Sequence, residues 1–217
     1  MEIKSSQKLV RIPADSVDLE GTLVIPQGAK AIVIFVHGAG SSRLSPRNNF
    51  VAQVLNDAGL GTFLFDLLTE EEDMVYENRF DLTLLTSRLK TATGWLRDQP
   101  LARKLSLGYF GASTGAAAAI ITAAESGASI GAVVSRGGRP DLAKQALGEL
   151  ATPTLLIVGG EDDVVLELNQ EAYEQIKAEK DLKVIPGATH LFEEPGALEE
   201  VSRLAANWFK KHISSRE

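Results

Sequence analysis

The chain has 217 residues, no cysteine, and a net charge of −7 from 22 basic and 29 acidic side chains. The missing cysteine excludes disulfides, thiol nucleophiles and thiolate metal ligands, and the acidic balance, with no basic run, excludes the electrostatic footprint of a nucleic-acid binder. Hydrophobic residues make up 44% and charged residues 24%, the balance of a soluble globular protein able to bury a sizeable core as one domain over residues 1–217.

The N-terminus, M-E-I-K-S-S-Q-K, lacks the apolar stretch of a signal peptide. The most apolar segment, Ala116–Ala124, is too short to span a bilayer, so a cytoplasmic protein with no membrane partner is expected. Lys8–Ile12 and Val17–Ile25 alternate apolar and polar residues about a turn at Ala14-Asp15-Ser16, predicting an antiparallel pair of half-buried strands. Ala31–Val36 is continuously apolar, the mark of a strand covered on both faces. Similar runs follow at Gly61–Phe65, Leu105–Phe110, Ile130–Val134 and Thr154–Val158, with a weaker one at Leu182–Ile185.

Helices are expected between the strands. Asn48–Ala58 stops at Gly59; Leu85, Leu89, Ala92 and Leu96 share a face; Val201, Leu204, Ala205 and Trp208 form the stripe of a last helix. This alternation implies right-handed crossovers and a mainly parallel α/β sheet between helical layers. The acidic cluster Glu70-Glu71-Glu72-Asp73 reads as a solvated loop beyond a strand's carboxyl end.

One segment carries chemistry in its required context. The strand Leu105–Phe110 runs into Gly111-Ala112-Ser113-Thr114-Gly115 and then an alanine-rich stretch, which is strand, G-x-S-x-G, helix. A serine at such an elbow stands at a helix N-terminus, where N–H groups and the dipole favour negative charge. Serine needs a base, and there are three histidines. His212 lies in a lysine-rich final turn and reads as solvated; His37 ends a central strand and reads as ordering the next loop. His190, between the last strand and last helix, is the expected base. The acid that orients it is expected in Gly159-Gly160-Glu161-Asp162-Asp163, at Asp162 in preference to Asp163. The expected oxyanion donors are the N–H groups of Thr114 and Ala39, with Gly38 and Gly40 allowing close approach.

Gly38-Ala39-Gly40 is not a dinucleotide fingerprint, because Arg43 stands at its third glycine position. No P-loop or H-E-x-x-H pattern occurs, so no cofactor and no metal are expected.

V-H-G-A-G-S-S near residue 37, G-A-S-T-G, V-G-G-E-D-D and P-G-A-T-H together make the chain resemble the α/β-hydrolase superfamily, and within it the dienelactone-hydrolase-like group of small esterases. The resemblance implies a mostly parallel eight-stranded sheet with helices on both faces and ester hydrolysis without a cofactor. It also implies that Ser113, Asp162 and His190 form the triad, with oxyanion donors at Ala39 and Thr114. Dienelactone hydrolases proper use cysteine, so Ser113 points to a general carboxylesterase acting on a small-molecule ester.

About twenty residues separate the strands near Val134 and Leu156, room for one short helix near Leu142–Leu147 but not for a lipase-like lid. Arg43, Arg47, Arg136 and Arg139 lie in or beside loops at strand carboxyl ends. Of these, Arg43, Arg136 and Arg139 are the candidates to hold a substrate carboxylate. The rival readings are acyl transfer to an acceptor other than water, peroxide included, and a non-catalytic binding protein on the same fold. The oligomeric state is left open.

Overall fold

In the computed structural model, which describes residues 5–213, β1 (Ser5–Ala14) and β2 (Val17–Pro26) pair antiparallel about a two-residue turn. The first four residues, part of the segment read for a signal peptide, lie outside the described range. β2 then pairs antiparallel with β4 (Gly61–Phe65). From there β3 (Ala31–Val36), β5 (Ser106–Ala112), β6 (Ala132–Arg136), β7 (Thr154–Gly159) and β8 (Lys180–Ile185) continue in parallel. The order is β1-β2-β4-β3-β5-β6-β7-β8, an eight-stranded sheet.

Alternation within the central strands divides the core into two layers. Ile32, Ile34, Tyr109 and Val133 face one way, packing with α3 (Leu82–Asp98) and α4 (Thr114–Ser126) through Leu89, Ala117 and Ile120. Val33, Phe35, Phe110 and Val134 face the other, packing with α1 (Pro46–Asp57) and α7 (Ala197–His212) through Val51, Leu55, Val201 and Phe209. This is the α/β-hydrolase fold. Among the described residues no helix is long and apolar enough to cross a membrane.

Several local expectations are corrected. Glu70–Asp73 is a short helix, α2, closed by a reciprocal capping box between Thr69 and Glu72. Two of its four acids are engaged, Glu72 with Arg88 and Asp73 with Arg79, while Glu70 and Glu71 are exposed. His212 is not solvated. Its ring packs 4.2 Å from that of Trp208, its side chain is 7% exposed, and burial pulls its pKa down. β5 and β6 extend further than their apolar runs, because Ser135 and Arg136 still pair with Gly111 and Ala112. Between β6 and β7 lie only a 3-10 turn (Pro140–Ala143) and α5 (Lys144–Leu147), with no large lid.

Candidate active site

The carboxyl edge of the parallel strands gathers the loops that carry the expected residues. At the end of β5, Ser113 has φ 49° and ψ −122°, a conformation that costs a non-glycine residue about 1–3 kcal/mol. Neighbouring glycines explain how it is held. A β-carbon at Gly115 would stand 2.2 Å from the carbonyl oxygen of Val36, and one at Gly111 would stand 2.4 Å from Cα of Ala116. Helix and strand therefore close tightly around the elbow, and Ser113 is the residue left to take the strain. Its N–H donates to the carbonyl of Arg136 (3.3 Å), and its carbonyl accepts from Arg139 N–H (3.1 Å).

His190 lies in the loop after β8, and its Nδ1 is 2.6 Å from Oδ2 of Asp162. Asp163 is exposed and begins α6 (Asp163–Gln175). The two loops are sewn together by their backbones, with Glu161 N–H donating to Ala188 O (2.9 Å) and Gly160 N–H to Ile185 O (2.8 Å). The imidazole stands over Gly137, where a β-carbon would be 3.4 Å from its Nδ1 and Cε1. Gly137 directly follows Arg136, whose carbonyl takes the Ser113 N–H, so ring and elbow flank the same end of β6.

Across the elbow, a β-carbon at Gly38 would stand 3.0 Å from Cβ of Ser113. The Ala39 N–H donates to Oγ1 of Thr114 at 3.0 Å. Both expected oxyanion donors are thus adjacent, but the Ala39 amide already has an acceptor in the Thr114 side chain. The Thr114 N–H is the first of α4 and one of the donors that a helix leaves without an internal partner.

His37 does order the loop. Leu67 N–H donates to its Nε2 (2.9 Å), leaving the proton on Nδ1 to be donated to Gly38 O (2.9 Å). Burial pulls the His37 pKa down, in keeping with a neutral ring.

The arginines are placed differently from one another. Arg43 is bound through its guanidinium to Asp66 and Glu20, and its N–H donates to Asp66 Oδ1 (2.7 Å). Arg139 forms a two-bond fork with Asp141, both bonds 2.8 Å, which holds that carboxyl below its usual range. Arg136 is buried. Arg79, which the sequence did not single out, pairs with Asp73, and its Nη1 lies 3.7 Å from where a Gly40 β-carbon would stand. No spacing rule links positions 40 and 79. Beside the loop after β3, a groove of about 540 Å³ is bordered by Ser41, Arg43, Asp66, Glu70 and Glu71. Among the described residues no group of three or more His, Asp or Glu side chains is arranged to hold a metal ion.

The model of the dienelactone hydrolase family matches residues 19–213. The chain belongs to that family. A dienelactone hydrolase from Anabaena variabilis ATCC 29413 has the same fold, with a TM-score of 0.94 and 52% identity over 97% of this chain and 100% of that one. Est1E from Butyrivibrio proteoclasticus shares the fold alone, with a TM-score of 0.81 and 16% identity over 94% of this chain and 98% of that one.

A protein of Mycobacterium tuberculosis H37Rv that bears the name "Putative phosphoribosyl transferase Rv0571c" is 56% identical over 94% of this chain. The match covers 46% of that protein, so this dienelactone hydrolase family chain spans about half the length of the curated relative.

Proposed function

We propose that this chain is a serine hydrolase of small carboxylic esters, acting through an acyl-enzyme on Ser113. The observation that carries the reading is the 2.6 Å contact between His190 Nδ1 and Asp162 Oδ2, beside a serine held in the strained elbow conformation. A carboxylate on Nδ1 keeps the proton there and leaves the Nε2 lone pair to act as base.

In the first half-reaction Ser113 Oγ bonds to the ester carbonyl carbon as His190 Nε2 takes the hydroxyl proton. The charge that develops on the carbonyl oxygen is met by the Thr114 N–H and by the Thr114 hydroxyl, whose oxygen accepts from the Ala39 N–H. The C–O bond to the leaving alcohol then breaks, and His190 returns the proton to that alcohol. In the second half-reaction water adds to the acyl carbon while His190 takes its proton, and Ser113 Oγ leaves with that proton restored. Every proton is returned, and the ester and one water are consumed to give an acid and an alcohol.

The transferase name borne by the mycobacterial relative belongs to a protein more than twice as long as the matched portion. The elbow and its neighbouring amides support acyl chemistry in this chain.

Labelling by a fluorophosphonate probe and turnover of p-nitrophenyl acetate test the reading together. Ser113→Ala should abolish labelling and lower kcat by about 10⁴-fold or more. Near-normal turnover in that variant, or an unlabelled wild type, would overturn it.

A further inference from the structure

On the side of the sheet facing α1, three sources of positive potential converge with little to balance them. Arg136 ends β6 and is 6% exposed, its Nη2 donating to Oδ1 of Asn48 at 3.3 Å. Asn48 is itself buried, in the first turn of α1. The guanidinium is therefore aimed at a helix N-terminus, which carries positive potential of its own, and that first turn holds no acidic residue. Arg47 stands in the same turn, close enough that its charge helps push the Arg136 pKa down to about 10, after the larger effect of burial.

Counter-charge is scarce. No carboxylate pairs with Arg136 among the described residues, and the Nε atoms of Arg136 and Arg47 are both sealed from solvent without an acceptor. The Phe192 ring lies 5.8 Å from the Arg136 guanidinium carbon, but an aromatic face offsets only part of the cost of burying an unpaired charge. Among the described residues, the carboxylate paired with either arginine is Glu193, 62% exposed, whose Oε1 is 2.8 Å from Nη1 of Arg47. Two guanidiniums and a helix terminus thus share one paired glutamate, which lies largely in solvent against Arg47.

We propose that Arg136, Arg47 and the first turn of α1 form a binding site for a small oxyanion, a phosphate or carboxylate group, with Glu193 as the side chain it displaces. The two arginines supply the charge, and the Arg47 N–H is the first-turn donor left over, since Pro46 has none and Ser45 takes those of Asn48 and Asn49. Because Phe192 and Glu193 follow His190 directly, an anion seated here touches the loop that carries the base.

The probe is inorganic phosphate at constant ionic strength, with chloride as the matched salt. Binding is read as a shift in Tm on wild type and on Ser113→Ala, so that it stands apart from any failure of the esterase reading. Phosphate at tens of millimolar should raise Tm by about 2–5 °C. The shift should vanish in Arg136→Met and fall by at least half in Arg47→Gln, which alters a side chain lying partly in solvent and keeps the fold. Glu193→Gln should lower the half-saturating phosphate concentration about 3- to 10-fold. No shift in the wild type, or equal shifts in wild type and Arg47→Gln, would overturn the site. Turnover separates the two sources of the anion. Competition by phosphate against p-nitrophenyl hemisuccinate but not p-nitrophenyl acetate assigns the site to an anionic group of the substrate, and equal effects on both assign it to a free anion.

Discussion

The amide of Ala39 and the hydroxyl of Thr114, 75 positions apart, are joined by a 3.0 Å hydrogen bond that ties the loop after β3 to the first residue after the elbow. Since the hydroxyl accepts from Ala39, its own proton is free to be donated. A developing oxyanion can therefore be met by two donors from Thr114, the N–H and a hydroxyl polarised by the Ala39 amide. Thr114→Val keeps the volume and the N–H and removes only the hydroxyl. The expected result is a fall in kcat of about 10²-fold with little change in KM, and Thr114→Ser should retain most of the rate. A Thr114→Val enzyme with wild-type kcat would limit this hydroxyl to holding the loop.

Asp162→Asn should leave the fold intact while allowing the wrong imidazole tautomer, lowering kcat by about 10³- to 10⁴-fold on p-nitrophenyl acetate. Asp163→Asn serves as the control and should change kcat by less than about twofold, because Asp163 is exposed and does not meet the ring. Comparable losses in both variants would remove Asp162 from its assigned role.

Two glycine substitutions should act in opposite directions. At Gly115 an added β-carbon would meet the carbonyl oxygens of Val36 and His37 at 2.2 and 2.3 Å, and both belong to backbone that cannot give way. Gly115→Ala should therefore destabilise by more than about 3 kcal/mol or prevent folding. Gly94 lies on the exposed face of α3 with nothing within 4 Å of an added β-carbon. Gly94→Ala should stabilise by about 0.5–1 kcal/mol in urea unfolding.

The sheet and the loops at its carboxyl edge were legible because the local signals agree with the global fold. Ala31–Val36 and Gly61–Phe65 fill both faces of the sheet with apolar side chains, and their ends coincide with the ends of the strands. Ser113 was legible because a strained elbow needs its glycines at fixed positions. Other features gave no such signal. α6 went unread because its buried residues are Val165, Asn169 and Ala172, a face too small and polar to form a stripe. The α2 helix is only four residues long and owes its form to a capping box. His212 looked solvated from its lysine neighbours, whereas Trp208, one turn earlier, covers its ring. The burial of Arg136 could not be read, since a polar residue closing an apolar strand is ordinarily the one that leaves the core.

Stability should depend on pH through His37. Burial holds its pKa below the ordinary 6.5, so below that pH the unfolded chain takes a proton that the folded one resists. This stabilising contribution is whole above about pH 6.5. It is lost as pH falls towards the folded value, at up to about 1.4 kcal/mol per pH unit. Urea midpoints at pH 7.5 and 5.0 should differ less in His37→Gln than in the wild type. Contributions from His212 and the carboxylates are common to both proteins and cancel in the comparison. An identical pH response in the two would show that His37 is protonated as readily folded as unfolded.

The shortness of the connection from β6 to β7, which has only a 3-10 turn and the four residues of α5, bears on how a hydrolase of this shape meets poorly soluble substrates. This connection holds no amphipathic cover to be peeled back by an oil–water boundary. Reaction velocity should then follow monomeric substrate alone and level off smoothly at the solubility limit, with no surge as droplets or micelles appear.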